Sequence, residues 1–383
     1  MIKQFIFLSS VLVFTNTLLA TDDGIDIWAD AVTETEDRGT SVLIIPIVGQ
    51  TLTDIRGETY EELEEEIKAL NPDLIVIEIN CSDAQDEFYE MMGWIDPRER
   101  GMLDSMAENL PTVAEVFHLH LKDIDQVAYV KDSTGVATIL TLSWEHIYLE
   151  PTARLTGTFE LARRYANIPN DDVRNKMRSA WTNIGPILGG YGNRDPALML
   201  SLVDPERYLS GRWHGKTVQW FGGFNGDFVV DGSPQMVPRF SATLAQELRI
   251  SEATVESLND VLLLNDVREY HIVGEEITNS INDYVSNWRK AFSNAKTLWG
   301  DYRQQRDWAR GAERLRWLVA NKNTIKKLLG IYRNYPAVEL RLGVSKKQLE
   351  QILEQIEKEL RQPRAPRRGG GPSMGGGGGG MRP

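Results

Sequence analysis

Two nearly uninterrupted apolar runs, residues 41–49 (SVLIIPIVG) and 73–80 (DLIVIEIN), constrain this chain more than anything else in it. Runs of this length without polar alternation fit strands covered on both faces. Between them Leu63, Ile67 and Leu70 fall on one side of a helix whose opposite side is rich in Glu, and Asn71-Pro72 stops that helix. Strand, helix and strand at this distance make a βαβ unit, which implies a predominantly parallel sheet with helices on its faces. Pro46 is the one irregularity in the first run.

The same logic repeats downstream. Residues 102–121 read as a helix leading into 126–157, QVAYVKDSTGVATILTLSWEHIYLEPTARLTG. There a β-branched run enters, Asp132-Ser133-Thr134-Gly135 predicts a sharp turn, an apolar helix follows, and 147–149 is a further strand. A serine at such a turn is lifted out of the strand towards a helix start, where backbone N–H groups favour negative charge. Ser133 is therefore a candidate nucleophile, and the competing reading is that Asp132 or Ser133 only caps the helix. Past Gly157, residues 159–166 and 171–188 read as helices, with Asn170 or Asp171 as a cap for the second. The glycine clusters at 189–192 and 222–226 read as turns, because neither has the Lys-Ser/Thr or strand-to-helix context of a nucleotide loop. Residues 219–231 predict a hairpin.

From Ile277 the pattern changes. Ile281, Val285, Trp288, Phe292, Ala295, Trp299 and Tyr302 recur four and three residues apart, a seam suited to helix-on-helix packing. Helices are expected from about 312 to 332 and from Ser345, where Ser345 and Gln348 have capping-box spacing. The domain reading is a leader at 1–20, a polar lead-in at 21–40, an α/β domain at 41–275, a helical region at 276–360, and a Gly/Arg/Pro tail at 361–383 whose composition predicts disorder.

Composition narrows the function. A formal charge of −13 argues against general nucleic-acid binding, since a polyanion would be repelled. The single cysteine, Cys81, excludes an intrachain disulfide and a Cys-cluster zinc site. His118 and His120 lie two apart on a helix and point to different sides, so no metal site is expected. Cys81 as a nucleophile lacks an identifiable partner histidine, and no cofactor is expected. Lys3, an apolar run from Phe5 and a small Ala20 before Thr21-Asp22-Asp23 predict a secretory leader and export, periplasmic or extracellular. An uncleaved anchor is the alternative, since Leu18 stands at the outer small-residue position. Peripheral membrane association and self-association, the latter through the helical seam, are also expected.

The block VAYVKDSTGVATILTLSWEHIYLEPTARLTG resembles the nucleophile region of the ClpP/crotonase superfamily, closest to the NfeD-type membrane-associated serine proteases and more distantly signal peptide peptidase A. The matching residues are Ser133-Thr134-Gly135, Pro151 to Gly157, and, loosely, Lys176-Met177 followed by Gly190-Tyr191-Gly192-Asn193-Arg194. The resemblance spans about residues 41–202. It implies a ClpP/crotonase-like α/β fold and a serine peptidase acting on a polypeptide substrate, with Ser133 as nucleophile and Lys176 as general base. It further implies oxyanion donors near Thr134 and in the loop at Ser82 and Asp83. The family's Thr-Pro-Gly-Gly is replaced there by Asn80-Cys81-Ser82-Asp83-Ala84, which restricts the loop and brings a carboxylate towards a developing negative charge. The alternative function is a non-catalytic ClpP-like scaffold or assembly protein.

Overall fold

The apolar runs lie side by side in a parallel sheet. In the computed structural model, which describes residues 39–82, 103–163, 166–305 and 312–361, they form β1 (Thr40–Gly49) and β2 (Leu74–Ser82), joined by α1 (Gly57–Leu70). The predicted leader, most of the lead-in, Asp83 and the tail beyond Arg361 lie outside the described residues. Next come α2 (Leu103–Glu115), continued by one π turn (Val116–His120), then β3 (Asp125–Thr134), α3 (Val136–Thr141), β4 (Ile147–Leu149) and β5 (Arg154–Thr156). Late in the chain, β9 (Arg239–Ser241), α8 (Ala242–Glu247), β10 (Ala253–Thr254), α9 (Leu258–Leu264) and β11 (Tyr270–Val273) complete this layer.

The strand order is β10-β4-β3-β2-β1-β11, all parallel, with β5 pairing the end of β3 and β9 antiparallel to β5. The fold is therefore α/β with a mostly parallel sheet. Ile45, Ile75 and Ile77 have no exposed surface and pack towards α1, α2 and α3. Each such side chain contributes about 1.5–3 kcal/mol on leaving water. Val42, Val76, Val127 and Tyr129 pack on the opposite face with Val261 and Leu262 of α9. Pro46 is tolerated because β11 accompanies β1 only from Thr40 to Leu43. Beyond it the Pro46 carbonyl accepts from Tyr60 Oη at 3.1 Å, so the missing N–H faces no strand.

Between β5 and β9 the chain forms α4 (Glu160–Arg163), α5 (Asp171–Thr182), α6 (Ile184–Tyr191), α7 (Pro196–Ser201) and a small sheet of β6 (Leu209–His214), β7 (Thr217–Gly222) and β8 (Phe228–Asp231). Three sequence expectations change here. The helix expected over 171–188 is two helices meeting at Asn183, although Asn170 caps the first, accepting from Val173 N at 3.1 Å. Gly189 and Gly190 belong to α6 rather than to a turn, because the α6–α7 packing sets Gly189 against Met199 where a side chain would collide. The 219–231 hairpin does not form: β7 and β8 flank β6 on its two edges, and the tight hairpin is β6–β7. Gly226 reaches so close to Gly211 that any side chain would overlap its backbone, which carries the chain across β6.

The mainly helical C-terminal part is α10 (Glu275–Gln305), α11 (Ala312–Asn334), α12 (Pro336–Leu342) and α13 (Lys346–Arg361). The capping box forms as read, with Gln348 N donating to Ser345 Oγ at 3.1 Å and Ser345 N to Gln348 Oε1 at 2.9 Å. Trp288, Ala295 and Tyr302 of the seam are buried within this chain, among Leu318, Ile325, Val338 and Leu349. Ile281 joins the core beneath the main sheet instead. The seam thus ties α10 to its own neighbours. No described helix is long and apolar enough to cross a membrane.

Candidate functional site

The candidate serine sits inside the sheet. Ser133 pairs with Cys81 of β2 on one side and with Leu155 of β5 on the other. The predicted turn over Asp132–Gly135 is corrected here: β5 arrives alongside and holds Ser133 and Thr134 in the strand, and only Gly135, at φ 75°, makes the bend. Gly135, not Asp132 or Ser133, occupies the cap position of α3, and no side chain caps that helix. Asp132 turns instead to β5 and accepts from Arg154 N at 3.2 Å.

Ser133 has no exposed surface. Its Oγ lies 2.7 Å from Thr141 Oγ1, and Thr141 donates its single hydroxyl hydrogen to Ala137 O at 3.1 Å. Ser133 is therefore the donor in the pair. A neutral hydroxyl takes no proton near neutrality, so this bond orients the serine without activating it. Thr138 reinforces the same corner, its one hydroxyl hydrogen shared between Ser133 O and Thr156 O, each 2.8 Å from Oγ1.

Lys176 is exposed on α5, and among the described residues no hydrogen bond or ion pair joins it to Ser133. Lys131, the other nearby lysine, is the extra residue where the β2–β3 register shifts, and it pairs with Glu78 at 2.9 Å. The oxyanion donors read from the sequence are distributed as follows. Thr134 is buried and pairs with Ser82, the last residue of β2, and with Thr156. The next N–H, of Gly135, donates to Thr156 O at 2.9 Å and is occupied. Asp83 lies outside the described residues.

Cys81 is buried, and its thiol donates to Ile47 O at 2.9 Å. His118 faces inward and His120 outward to Glu64 at 2.7 Å, and among the described residues no three His, Cys, Asp or Glu side chains cluster as metal ligands. His118 Nε2 meets Ser143 Oγ at 2.8 Å, while Ser143 donates to Leu140 O at 2.6 Å, so the imidazole donates. Its ring stacks on Tyr191 with centroids 4.9 Å apart, and burial pushes its pKa down to about 4. Arg194 holds the turn after α3, donating to Trp144 O at 2.7 Å and Glu145 O at 2.8 Å. Burial lowers its pKa to about 10.

Sequence reasoning missed a second polar centre, at the carboxyl ends of β1 and β2, the end of a parallel sheet where ligands bind. A cavity of about 510 Å³ lies there, lined in part by Val48, Gln50, Asn80, Trp288, Phe292 and Arg341. Asp54 organises its wall, accepting from Gln50 N at 2.9 Å, Trp288 Nε1 at 3.0 Å, Arg289 Nε at 2.9 Å and Arg289 Nη2 at 2.8 Å. No local pattern could have joined residues 235 positions apart.

No family model matches the chain, and no curated protein does. Among solved structures, the 1510-N membrane-bound stomatin-specific protease in complex with a substrate peptide aligns with 64% of this chain and 99% of its own, at 8% identity and a TM-score of 0.38. A peptidase from Plasmodium falciparum covers 56% of this chain and 96% of its own, at 13% identity and a TM-score of 0.33. The 1510-N protease specific for a stomatin homolog from Pyrococcus horikoshii covers 61% and 90%, at 12% identity and a TM-score of 0.29. The chain is thus structurally similar to proteases of this type over about 60% of its length.

Proposed function

We propose that this chain is a non-catalytic ClpP-like scaffold, a protein with the α/β architecture of a serine peptidase and without its chemistry. One observation carries the reading: the Ser133 hydroxyl is fully buried and donates to Thr141, while the lysine proposed as its base is exposed on another helix. A Ser-Lys dyad needs the two side chains in hydrogen-bond reach, directly or through one water, and needs the lysine desolvated enough to be neutral. Lys176 is exposed on α5, and among the described residues no hydrogen bond joins it to Ser133. The partner class is protein rather than nucleic acid, in keeping with a charge of −13.

The second reading is an exported serine peptidase using Ser133 and Lys176 on a polypeptide substrate. What favours it is the position of Ser133 at the carboxyl end of a central parallel strand, two residues before the bend at Gly135. Activity would then require α5 to close on the strand end and the Ser133–Thr141 bond to break. A fluorophosphonate probe separates the two. The scaffold reading expects no labelling of the folded protein between mildly acidic and alkaline pH. Labelling lost in Ser133→Ala and in Lys176→Ala would overturn it.

Export with loss of the leader after Ala20 belongs to both readings, and so does peripheral association with a membrane. N-terminal sequencing of the mature protein tests the first. A full-length chain retained in the membrane fraction would mean that the segment is an anchor.

A further inference from the structure

The cavity at the carboxyl ends of β1 and β2 is lined from the face of the sheet opposite the Ser133 side chain. Val48 and Asn80 pair in register and alternate with Ile47, Ile79 and Cys81, which are buried in the core with α1, α2 and α3. Cys81 pairs with Ser133, so the serine shares that core face. Val48 and Asn80 are exposed on the other face and line the cavity. Its remaining wall comes from α10 and α12, which lie outside residues 41–202, the part of the chain whose motifs resemble a peptidase.

Arg289 is held in that wall in a particular way. A guanidinium carries five N–H donors in one plane. Asp54 accepts from Nε at 2.9 Å and from Nη2 at 2.8 Å, which occupies one side of the group. The end formed by Nη1 and the second Nη2 hydrogen is left, two parallel donors with the spacing of a carboxylate. The Asp54 carboxylate is itself fixed by Gln50 N and Trp288 Nε1, so the guanidinium is oriented before any ligand arrives. Two guanidinium groups, of Arg289 and Arg341, line the cavity against the one carboxylate of Asp54. On a chain of net charge −13, this lining carries an excess of positive charge.

A second observation points to a ligand. Gln50 Nε2 is buried in the same wall and has no acceptor among the described residues. Folded proteins rarely leave such a donor unpaired. We infer that this cavity binds an apolar residue with a free α-carboxylate and an acylated amine, the chemistry shared by the last residue of a polypeptide and a free N-acyl amino acid. The carboxylate takes the open end of Arg289, the amide carbonyl accepts from Gln50 Nε2, and the apolar side chain lies against Val48 and Phe292. Inorganic phosphate would satisfy the charge and leave the apolar wall uncovered. A volume of about 510 Å³ is that of a small-ligand pocket. The inference goes beyond the scaffold reading. The cavity uses none of the groups around Ser133, so probe labelling of Ser133 leaves it standing, and a failure to bind leaves the scaffold reading standing.

The test titrates N-acetylphenylalanine and its primary amide into the mature protein by calorimetry, with inorganic phosphate as the charge control. The acid is expected to bind saturably, and the amide and phosphate to bind about tenfold more weakly or worse. Arg289→Lys keeps a positive charge beside Asp54 without the planar fork, and is expected to lose about tenfold in affinity for the acid. Gln50→Leu removes a donor that has no partner within the described protein. It is expected to weaken binding severalfold without lowering the urea midpoint. A hexapeptide ending in phenylalanine separates the two sources: tighter binding than N-acetylphenylalanine assigns the site to a polypeptide terminus, and equal binding to a free N-acyl amino acid. No saturable binding of the acid at millimolar concentration overturns the inference. So does equal affinity for acid and amide, or an affinity for the acid that survives both substitutions unchanged.

Discussion

Removing the Asp54 carboxylate tests the junction between the sheet and the C-terminal helices. The side chain of Asp54 is 2% exposed and accepts four hydrogen bonds, one from its own loop and three from α10. Gly49, at φ 100°, allows this, since a side chain there would overlap the carboxylate. In Asp54→Ala the Trp288 N–H, in a residue only 3% exposed, loses its protein acceptor. Leaving the Trp288 and Gln50 donors without this acceptor costs about 1–3 kcal/mol, while the Arg289 guanidinium, 57% exposed, returns to solvent. Arg289→Ala should cost less, about 1–2 kcal/mol, because the Arg289 side chain is 57% exposed and the carboxylate keeps its bonds from Trp288 and Gln50. Urea unfolding followed by tryptophan fluorescence measures both, with the unfolding slope as the check that the two variants share one transition. A loss below about 1 kcal/mol for Asp54→Ala would refute the reasoning. So would an Arg289→Ala loss as large as that of Asp54→Ala.

Two further outcomes follow from the core. His118 is held neutral by burial, its pKa falling from 6.5 to about 4. The unfolded chain therefore binds the extra proton first, and stability drops as pH falls from 6.5 towards 4, by about 3 kcal/mol for this group. His118→Gln should flatten that part of the pH–stability curve, and an unchanged acid limb would exclude the assignment. At Gly157 a side chain would run into the backbone carbonyl of Leu202. Gly157→Ala should cost more than about 2 kcal/mol in thermal or urea unfolding, and a neutral result would mean that the β5–α7 approach is looser than described.

The sheet was legible because its strands are unusually plain. Residues 41–49 and 73–80 carry almost no polar alternation, and only a doubly covered parallel sheet accommodates two such runs around a Glu-faced helix. The Ser345–Gln348 cap was legible for the same reason, since both partners are local. The strand end at Ser133 was not. Asp132-Ser133-Thr134-Gly135 has turn chemistry, and what keeps it extended is β5, more than twenty residues downstream, whose pairing with Ser133 no local signal announces. The same holds for the candidate dyad. Spacing alone does not single out Lys176 from Lys131, and the resemblance pairs it with Ser133, but the burial of one and the exposure of the other depend on how α5 packs. The partner of Ser133 proved to be Thr141, two turns along α3, read in the sequence only as part of an apolar helix.

The position of β1 bears on when this chain can fold. Its first strand is flanked by β2 and by β11, and α10 packs across it, with Thr278 Oγ1 donating to Ile44 O at 2.6 Å and Arg289 reaching Asp54. The residues that complete its surroundings come more than 200 positions later. A chain emerging N-terminus first would hold this apolar strand with one side unfilled until residues near 290 are available. Closing so long a loop is slow, and the waiting strand is the part most exposed to wrong pairing.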